Sequence, residues 1–189
     1  IIIISNTPEM KKLILSFFAM LALSFNSEAT IIEVPDDQPT IQNAIDVAQN
    51  GDTVLVAIGT YFENINFIGK NITVASHFIL ENNQSFIEST IIDGSQPVHP
   101  DTASCVLIVS GEDSTAVLAG FTLTGGTGTI WEDEHGPNYF YTEGGGILIQ
   151  YSSPTIRNNI IRGNEATNVP SGVTSAGGGA IRAGDSYPR

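Results

Sequence analysis

An internal repeat in the second half of the chain constrains the fold more than any other feature. The glycine-rich segment Gly144–Ile149 recurs as Gly178–Ala183, at an offset of 34 residues. A second pair of segments, Gly120–Gly126 and Asn158–Asn164, aligns at an offset of 38 residues. Short β-rich segments that repeat at such intervals are typical of a solenoid, in which each coil stacks on the coil before it.

The glycine-rich repeat also predicts which side chains point inward. Successive side chains of a β-strand point to opposite faces, so the first and third positions of the apolar triplet should face the core and the second should face outward. Equivalent positions of successive coils then lie one strand spacing apart, about 4.8 Å. The repeat therefore predicts two inward stacked pairs and one outward pair: Ile147 on Ile181, Ile149 on Ala183, and Leu148 on Arg182.

One amphipathic helix precedes a series of short β-rich runs. The helix is predicted over Thr40–Asn50, where apolar residues recur at i, i+3, i+4 and i+7, Thr40 can cap the start and Gly51 can end it. No other helix is predicted. This helix would cover the open first coil of the solenoid. The predicted strands, which Gly, Asn, Asp and Ser separate, are Thr53–Val56, Asn71–Val74, Thr90–Ile92, Val106–Val109 and Ala116–Leu118.

The N-terminal segment has the layout of an export signal. Residues 1–9 precede Met10 and are interpreted as an upstream extension that is not native to the protein. Residues 10–29 combine two lysines with a short apolar run and small residues before a predicted cleavage after Ala29, which is typical of a signal peptide. The apolar run is shorter than the ~20 residues that cross a bilayer, so no membrane span is expected. Residues 30–189 are then the folded domain, which we expect to be truncated within a repeat at its C-terminus.

The charge of the chain limits its partners. The formal net charge is −13, and such an acidic surface repels phosphate backbones, so nucleic acid is not an expected partner. Carboxylates are ligands that Ca²⁺ prefers, which makes Ca²⁺ a candidate cofactor, although no set of metal ligands can be assigned from the sequence. The single cysteine, Cys105, lies in an apolar run and is interpreted as a buried core residue. No intrachain disulfide can form, and we expect a monomer.

Several short motifs are spread over nearly all of residues 30–189, and their members are Pro39–Ile45, Gly51–Val54, Gly59–Glu63, Gly69–Thr73 and Thr90–Gly94. Together with the glycine-rich coils, they resemble the N-terminal half of exported bacterial proteins with the pectin-lyase-like right-handed parallel β-helix fold. The resemblance implies an all-β solenoid with a short N-terminal capping α-helix. Because the motifs belong to the cap, the turns and the stacked core, they indicate the fold more than the function.

The resemblance implies a secreted or cell-surface protein that binds or processes extracellular polysaccharide, and, if it is an enzyme, a polysaccharide lyase or glycoside hydrolase. Lyases of this kind hold Ca²⁺ with aspartates and use an arginine as base, and esterases use an aspartate pair with an arginine. Neither set can be placed here, so the catalytic residues stay unassigned. Asp93 is interpreted as a turn residue, and Arg157, Arg162 and Arg182 as solvated side chains without an acidic partner. The alternative function is a noncatalytic surface, adhesion or structural repeat module.

Two insertions, Thr127–Glu143 and Glu165–Gly177, interrupt equivalent corners of consecutive coils. They are surplus to the solenoid and should lie side by side, with their bases about 5 Å apart. Exposed aromatic rings can stack on sugars, and neighbouring carboxylates can hydrogen-bond hydroxyl groups or bind Ca²⁺. The predicted ligand-binding residues are therefore aromatic and acidic residues of the first insertion: Trp131, Glu132, Asp133, Glu134, Tyr139 and Tyr141.

Overall fold

The computed structural model describes residue 12 and residues 28–132, 139–167 and 173–184. The predicted upstream extension, nearly all of the predicted signal peptide, and the predicted site residues Asp133 and Glu134 lie outside the described residues. Within the described ranges, no helix is long and apolar enough to cross a membrane.

The described part of the chain is mostly β. The helices are short: α1 (Ile41–Val47), α2 (Phe78–Glu81) and α3 (Gln84–Ser89). The strands are β1 (Ile31–Val34), β2 (Thr53–Val56), β3 (Gly59–Tyr61), β4 (Ile65–Asn66), β5 (Thr73–Ser76), β6 (Thr90–Asp93), β7 (Thr102–Ala103), β8 (Val106–Ile108), β9 (Val117–Ala119), β10 (Thr122–Thr124), β11 (Gly128–Glu132), β12 (Phe140–Glu143), β13 (Ile147–Ile149), β14 (Thr155–Arg157), β15 (Ile160–Ile161), β16 (Val173–Gly177) and β17 (Ile181–Ala183).

These strands form four sheets. Sheet A has the strand order β1-β2-β5-β9-β14, sheet B β3-β6-β10-β15, sheet C β4-β8-β13-β17, and sheet D β7-β11-β12-β16. The strand pairs of sheets A, B and C are parallel. From β2 onward the chain enters sheets A, B and C in that cyclic order, and the strands of sheet D lie in connections from sheet B to sheet C. The predicted all-β class with stacked parallel strands is confirmed.

Strand pairing confirms both repeat offsets. Ile147 pairs with Ile181 in sheet C, and Thr122 pairs with Ile160 in sheet B. The offsets of 34 and 38 residues are therefore real strand registers, since 147 pairs with 181 and 122 with 160. The two offsets differ because a connection from sheet B to sheet C changes length between coils, while the strands keep their register.

The burial of the glycine-rich repeat departs from the prediction at two positions. Ile147 is fully buried and Ile149 half-buried. Their stacked partners, Ile181 and Ala183, are both exposed, Ile181 to 41 %, because no described strand lies beyond β17 in sheet C. Leu148 lies outside the apolar core cluster, as predicted for an outward residue, but it is not exposed to solvent. It is fully buried, since β11 of sheet D contacts β13.

Asparagine side chains link successive coils at the turns. Asn158 and Asn159 lie in a bend between β14 and β15, where Asn158 adopts a left-handed conformation with φ of 55°. Oδ1 of Asn159 accepts a hydrogen bond from the amide of Phe121 at 2.9 Å, and its Nδ2 donates to the carbonyl of Leu118 at 2.9 Å. Asn164 makes the same two kinds of bond to the preceding coil. These amide groups satisfy backbone atoms that the strand ladders leave free at the corners.

The predicted amphipathic helix is α1. Oγ1 of Thr40 accepts a hydrogen bond from the amide of Asn43 at 3.1 Å, which caps the helix start. The helix ends at Val47, three residues earlier than the predicted end at Asn50. It packs against β1, β2 and β4, so it covers the first strands of sheets A and C. Its buried face consists of Ile41, Ala44 and Ile45.

The prediction of a single helix is wrong. Helices α2 and α3 lie in the connection between β5 and β6. They are four and six residues long, too short for apolar residues to show a helical period in the sequence. The side chain of Asn83 caps α3 by accepting a hydrogen bond from the amide of Ser85 at 3.0 Å.

Candidate functional site

Sheet D is built from three successive connections between sheet B and sheet C. The first connection contributes β7, the second contributes β11 and β12, and the third contributes β16. Strand β11 is antiparallel to both β7 and β12, and β12 is parallel to β16. All three connections therefore meet on one side of the molecule.

The predicted proximity of the two insertions is confirmed. At their bases, the amide of Glu165 donates to the carbonyl of Gly126 at 2.9 Å, and the amide of Thr167 donates to the carbonyl of Thr127 at 3.3 Å. Beyond the bases, the insertions contain paired strands, which were not expected from the sequence. The third contribution, β7, was also missed, because a strand of two residues has no pattern of its own.

One face of sheet D carries two of the predicted aromatic residues. Trp131 and Tyr141, called the aromatic pair below, are partners across β11 and β12, and directly opposed residues of antiparallel strands share a face. Thr129 lies two residues before Trp131 and is paired with Thr102 of β7. Thr129 and Thr102 therefore lie on the same face of sheet D as the aromatic pair. The ring of Trp131 lies 6.0 Å from the ring of Tyr151, at an interplanar angle of 52°. Because Tyr151 closely follows β13, this face is turned towards sheet C.

The predicted ligand-binding residues do not all share this face. Trp131 and Tyr141 are half-buried, whereas Glu132 and Tyr139 are exposed. Glu132 is paired with Phe140, one position along from the aromatic pair, which places it on the opposite face of sheet D. Of the described candidates, the structure thus brings Trp131 and Tyr141 together and separates Glu132 from them.

A buried carboxylate joins sheet D to sheet C. Glu143, at the end of β12, is 7 % exposed. Its Oε1 accepts a hydrogen bond from Nε of Arg182 at 2.8 Å, and its Oε2 accepts one from Nε2 of Gln150 at 3.2 Å. The prediction that Arg182 has no acidic partner is wrong. An insertion supplies the partner, so the alignment of repeats could not show it; Arg157 and Arg162 are exposed, as predicted.

A groove of about 350 Å³ lies where sheet D meets sheet C. Thr102 of sheet D lines one side, and Asn66 and Leu107 of β4 and β8 line the other. Cavities of this size accommodate small ligands or parts of larger ones. Because Thr102 shares a face of sheet D with Trp131, the groove and the aromatic pair lie along one junction. The other lining residues are Gln42, Phe62, Glu63, Asn64, Gln96, Val98 and His99.

Some polar side chains of the groove are fixed by hydrogen bonds, while two of its apolar side chains are exposed to solvent. The two carboxylate oxygens of Glu63 accept hydrogen bonds from the first two amides of α1, at 3.0 and 2.9 Å. Nδ2 of Asn64 donates to two backbone carbonyls at 3.2 and 2.9 Å. The side chains of Phe62 and Val98 are 54 % and 88 % exposed. The groove therefore offers a rigid polar lining beside accessible apolar surface.

Sequence reasoning missed this groove. Most of its residues belong to the short segments that follow β3 and β6. The available signal was their position, because these segments leave sheet B at the same corner as the two long insertions. They are shorter than those insertions and lack the glycine-rich return, so they do not stand out in the sequence.

The surroundings of Cys105 and Asp93 fit structural roles for both residues. Cys105 is fully buried and its thiol donates to the carbonyl of Thr124 at 3.1 Å, which confirms it as a core residue. Burial raises the pKa of the Cys105 thiol to about 11, so the reactive thiolate is scarce at neutral pH. Oδ1 of Asp93 accepts a hydrogen bond from the amide of Ser95 at 3.0 Å, the geometry expected of a turn residue.

A metal site is not evident in the described part of the chain. Among those residues, no three His, Cys, Asp or Glu side chains are grouped so that they could hold a metal ion. The predicted carboxylates Asp133 and Glu134 lie outside the described residues. Ca²⁺ stays a candidate cofactor of the first insertion.

Comparison with known proteins adds no functional residue to this geometry. No protein-family model matches the chain, and neither does any curated protein or solved structure. The class of protein is defined by the fold and the site: three sheets of parallel strands, with a fourth sheet that stands beside an open groove.

Proposed function

We propose that residues 30–189 form a right-handed parallel β-helix of the pectin-lyase-like kind. Three parallel sheets that the chain enters in a constant cyclic order are the arrangement expected of a solenoid. Connections between parallel strands of one sheet are right-handed in about 98 % of cases, which supports right-handed winding. The motifs of the cap and turns add the resemblance to pectin-lyase-like proteins.

This β-helix is proposed to act outside the cell, secreted or at the cell surface, and to bind extracellular polysaccharide. The observation that carries the proposal is the shared face of Thr102 and Trp131. It aligns a groove with polar groups and an aromatic pair along one junction, so a sugar chain could contact both. Aromatic rings cover apolar faces of ligands, and a few fixed polar groups orient them. Export is supported by the N-terminal sequence pattern.

Binding is favoured over catalysis by the carboxylates along this junction. Glu143 is buried and its two oxygens accept hydrogen bonds from Arg182 and Gln150. Both oxygens of Glu63 accept hydrogen bonds from α1. A general acid or base must reach the substrate within hydrogen-bond distance, and these two groups are already committed to the protein. The same observation favours the second candidate function, a noncatalytic surface or adhesion module.

Replacing the tryptophan of the aromatic pair tests the proposal. Wild-type protein should be retarded in native gels that contain the polysaccharide it binds, and Trp131→Ala should migrate as in a gel without polysaccharide. The matched control is Phe86→Ala, because Phe86 forms a similar ring pair with His77, at 5.8 Å, in the connection from sheet A to sheet B.

Both variants remove one half-buried ring, so their melting temperatures should fall by similar amounts. Equal retardation of wild type and Trp131→Ala, or loss of binding in both variants, would contradict a site at the aromatic pair. Failure of the wild type to bind any polysaccharide would contradict the proposed function itself.

A further inference from the structure

The charges beside the groove bear on which polysaccharide it takes. None of the described residues that line the groove is lysine or arginine. The lining carboxylate, Glu63, has both oxygens engaged by the amides of α1. We infer that the site binds an uncharged glycan chain and excludes polyuronates, an inference that rests on the proposed polysaccharide-binding function.

The described cations after residue 30 are held by other groups or lie away from the groove. Arg182 donates from Nε to Glu143 and from Nη1 to the carbonyl of Ala183, at 2.8 and 2.6 Å. Lys70 donates from Nζ to two carbonyls of α1, both at 2.7 Å. Arg157 belongs to β14, the last described strand of sheet A, and Arg162 follows β15, the last described strand of sheet B. Both arginines are exposed and lie at the opposite end of the stack from β3 and β4. A uronate in the groove would therefore meet no free lysine or arginine side chain from the described residues.

The net charge of the chain opposes an acidic ligand. The whole chain carries a formal net charge of −13. A polyuronate has one negative charge on each sugar, so it would be repelled at long range. An uncharged chain meets no such repulsion. The side-chain amide of Gln96 is a neutral group that can donate to sugar hydroxyls and accept from them. The hydroxyl of Thr102 donates to the carbonyl of His99 at 3.3 Å, and its oxygen can accept from a sugar hydroxyl.

Matched polymers that differ only in charge test this specificity. The probes are polygalacturonate and its fully methyl-esterified form, together with alginate and its carboxyl-reduced form. In each pair of polymers for which binding is detected, the affinity for the neutral polymer should exceed the affinity for the acidic polymer by at least about tenfold. Binding of the neutral member should also be unchanged between about 0.02 M and about 0.5 M salt, because screening acts only on charged partners.

Two matched lysine substitutions separate a local charge effect from a change in total charge. Gln96→Lys places a cation at the groove, whereas Gln84→Lys makes the same change on exposed α3, in the connection from sheet A to sheet B. Gln96→Lys should raise affinity for the polyuronate at least about threefold at low salt, the effect of one exposed charge pair. Gln84→Lys should not.

The outcomes distinguish this inference from the proposed function. Equal or tighter binding of polyuronate overturns the inference alone, and so does polyuronate binding that appears when Ca²⁺ replaces a chelator. Equal responses of the two lysine variants place the charge selection elsewhere and also overturn it. Absence of binding to every polymer overturns the proposed function and the inference with it.

Discussion

The backbone amide of Thr30 donates a hydrogen bond to Oδ1 of Asp52 at 2.8 Å. Oδ2 of the same carboxylate accepts a hydrogen bond from the amide of Gln49 at 2.7 Å, and Asp52 is only 4 % exposed. The first residue after the predicted cleavage site is thereby tied to the turn that follows α1. Two predictions depend on this contact, one on pH and one on processing.

Asp52 should contribute to the pH dependence of stability. The amides of Gln49 and Thr30 hold the pKa of the Asp52 carboxyl below its ordinary value of 3.8, with burial acting in the opposite direction. A carboxyl group with a lowered pKa in the folded state stabilises the protein above its ordinary pKa, and this contribution is lost as the pH falls through the folded value. Asp52→Asn should lower the free energy of unfolding at pH 7 by about 2 kcal/mol and flatten its decline in acid.

Urea unfolding at pH 7 and at about pH 3 measures this change. The control is Asp36→Asn, an exposed aspartate in the turn after β1, which should leave stability at pH 7 within about 0.5 kcal/mol of wild type. Curves of stability against pH that run parallel for wild type and Asp52→Asn would rule out a role for this carboxylate.

Cleavage after Ala29 should stabilise the folded domain. Removal of the signal peptide converts the Thr30 amide into an ammonium group, 2.8 Å from Oδ1 of Asp52 in the described geometry. An α-amino group with a pKa of about 8 is mostly charged at pH 7, and charge-assisted hydrogen bonds are the stronger ones. Protein that begins at Thr30 should be about 1 kcal/mol more stable than protein with a Gly-Ser extension before Thr30.

This difference should vanish in the Asp52→Asn background, because the partner of the ammonium group is then neutral. Mass spectrometry of the exported product should show a terminus at Thr30. A product that retains the lysines before the apolar run would contradict the predicted signal peptide.

The inward face of the glycine-rich repeat predicts unequal effects at stacked positions. Ile147 is fully buried, while its register partner Ile181 is 41 % exposed. Ile147→Asp would bury an unpaired charge and should lower the free energy of unfolding by about 3–5 kcal/mol, enough to unfold many domains. Ile181→Asp is the matched control and should lower it by less than about 1 kcal/mol. Thermal unfolding followed by circular dichroism compares them, and equal effects would show that the two positions share one environment.

The parts of the fold that recur in the sequence could be predicted from it. The stacked pairs Ile147–Ile181 and Thr122–Ile160 follow from the repeat, because the same pattern of glycine and apolar residues specifies the same strand in each coil. The cap of α1 at Thr40 follows from local chemistry. Such features depend on nearby residues or on a pattern that occurs twice.

The features that the sequence did not reveal depend on pairs of residues that no pattern links. Leu148 is buried because sheet D packs over an outward position, and sheet D itself forms within segments without repeats. Glu143 and Arg182 meet although an insertion contributes one and a coil the other. The groove joins short connections from different coils for the same reason. Tertiary contacts determine the burial of Leu148, the Glu143–Arg182 pair and the groove, and alternation or periodicity in the sequence carries no information about such contacts.

The Glu143–Arg182 pair should hold sheet D against sheet C. The side chain of Glu143 is 9 % exposed and that of Arg182 is 42 % exposed, so the pair is only partly screened by solvent. Arg182→Met should leave a poorly compensated carboxylate and lower stability by about 1–2 kcal/mol, less than for a fully buried pair. The control is Arg162→Met, which removes an exposed arginine and should have little effect.

A double-mutant cycle measures the coupling within this pair. Glu143→Gln combined with Arg182→Met should be more stable than the sum of the single changes predicts, by about 1 kcal/mol, because the neutral amide no longer needs a cation. Hydrogen exchange should accelerate at the amides of β12 in Arg182→Met, while exchange in sheets A and B stays unchanged, since the contact joins only sheets C and D. Additive changes in stability, together with unaltered exchange in β12, would show that this ion pair does not secure sheet D.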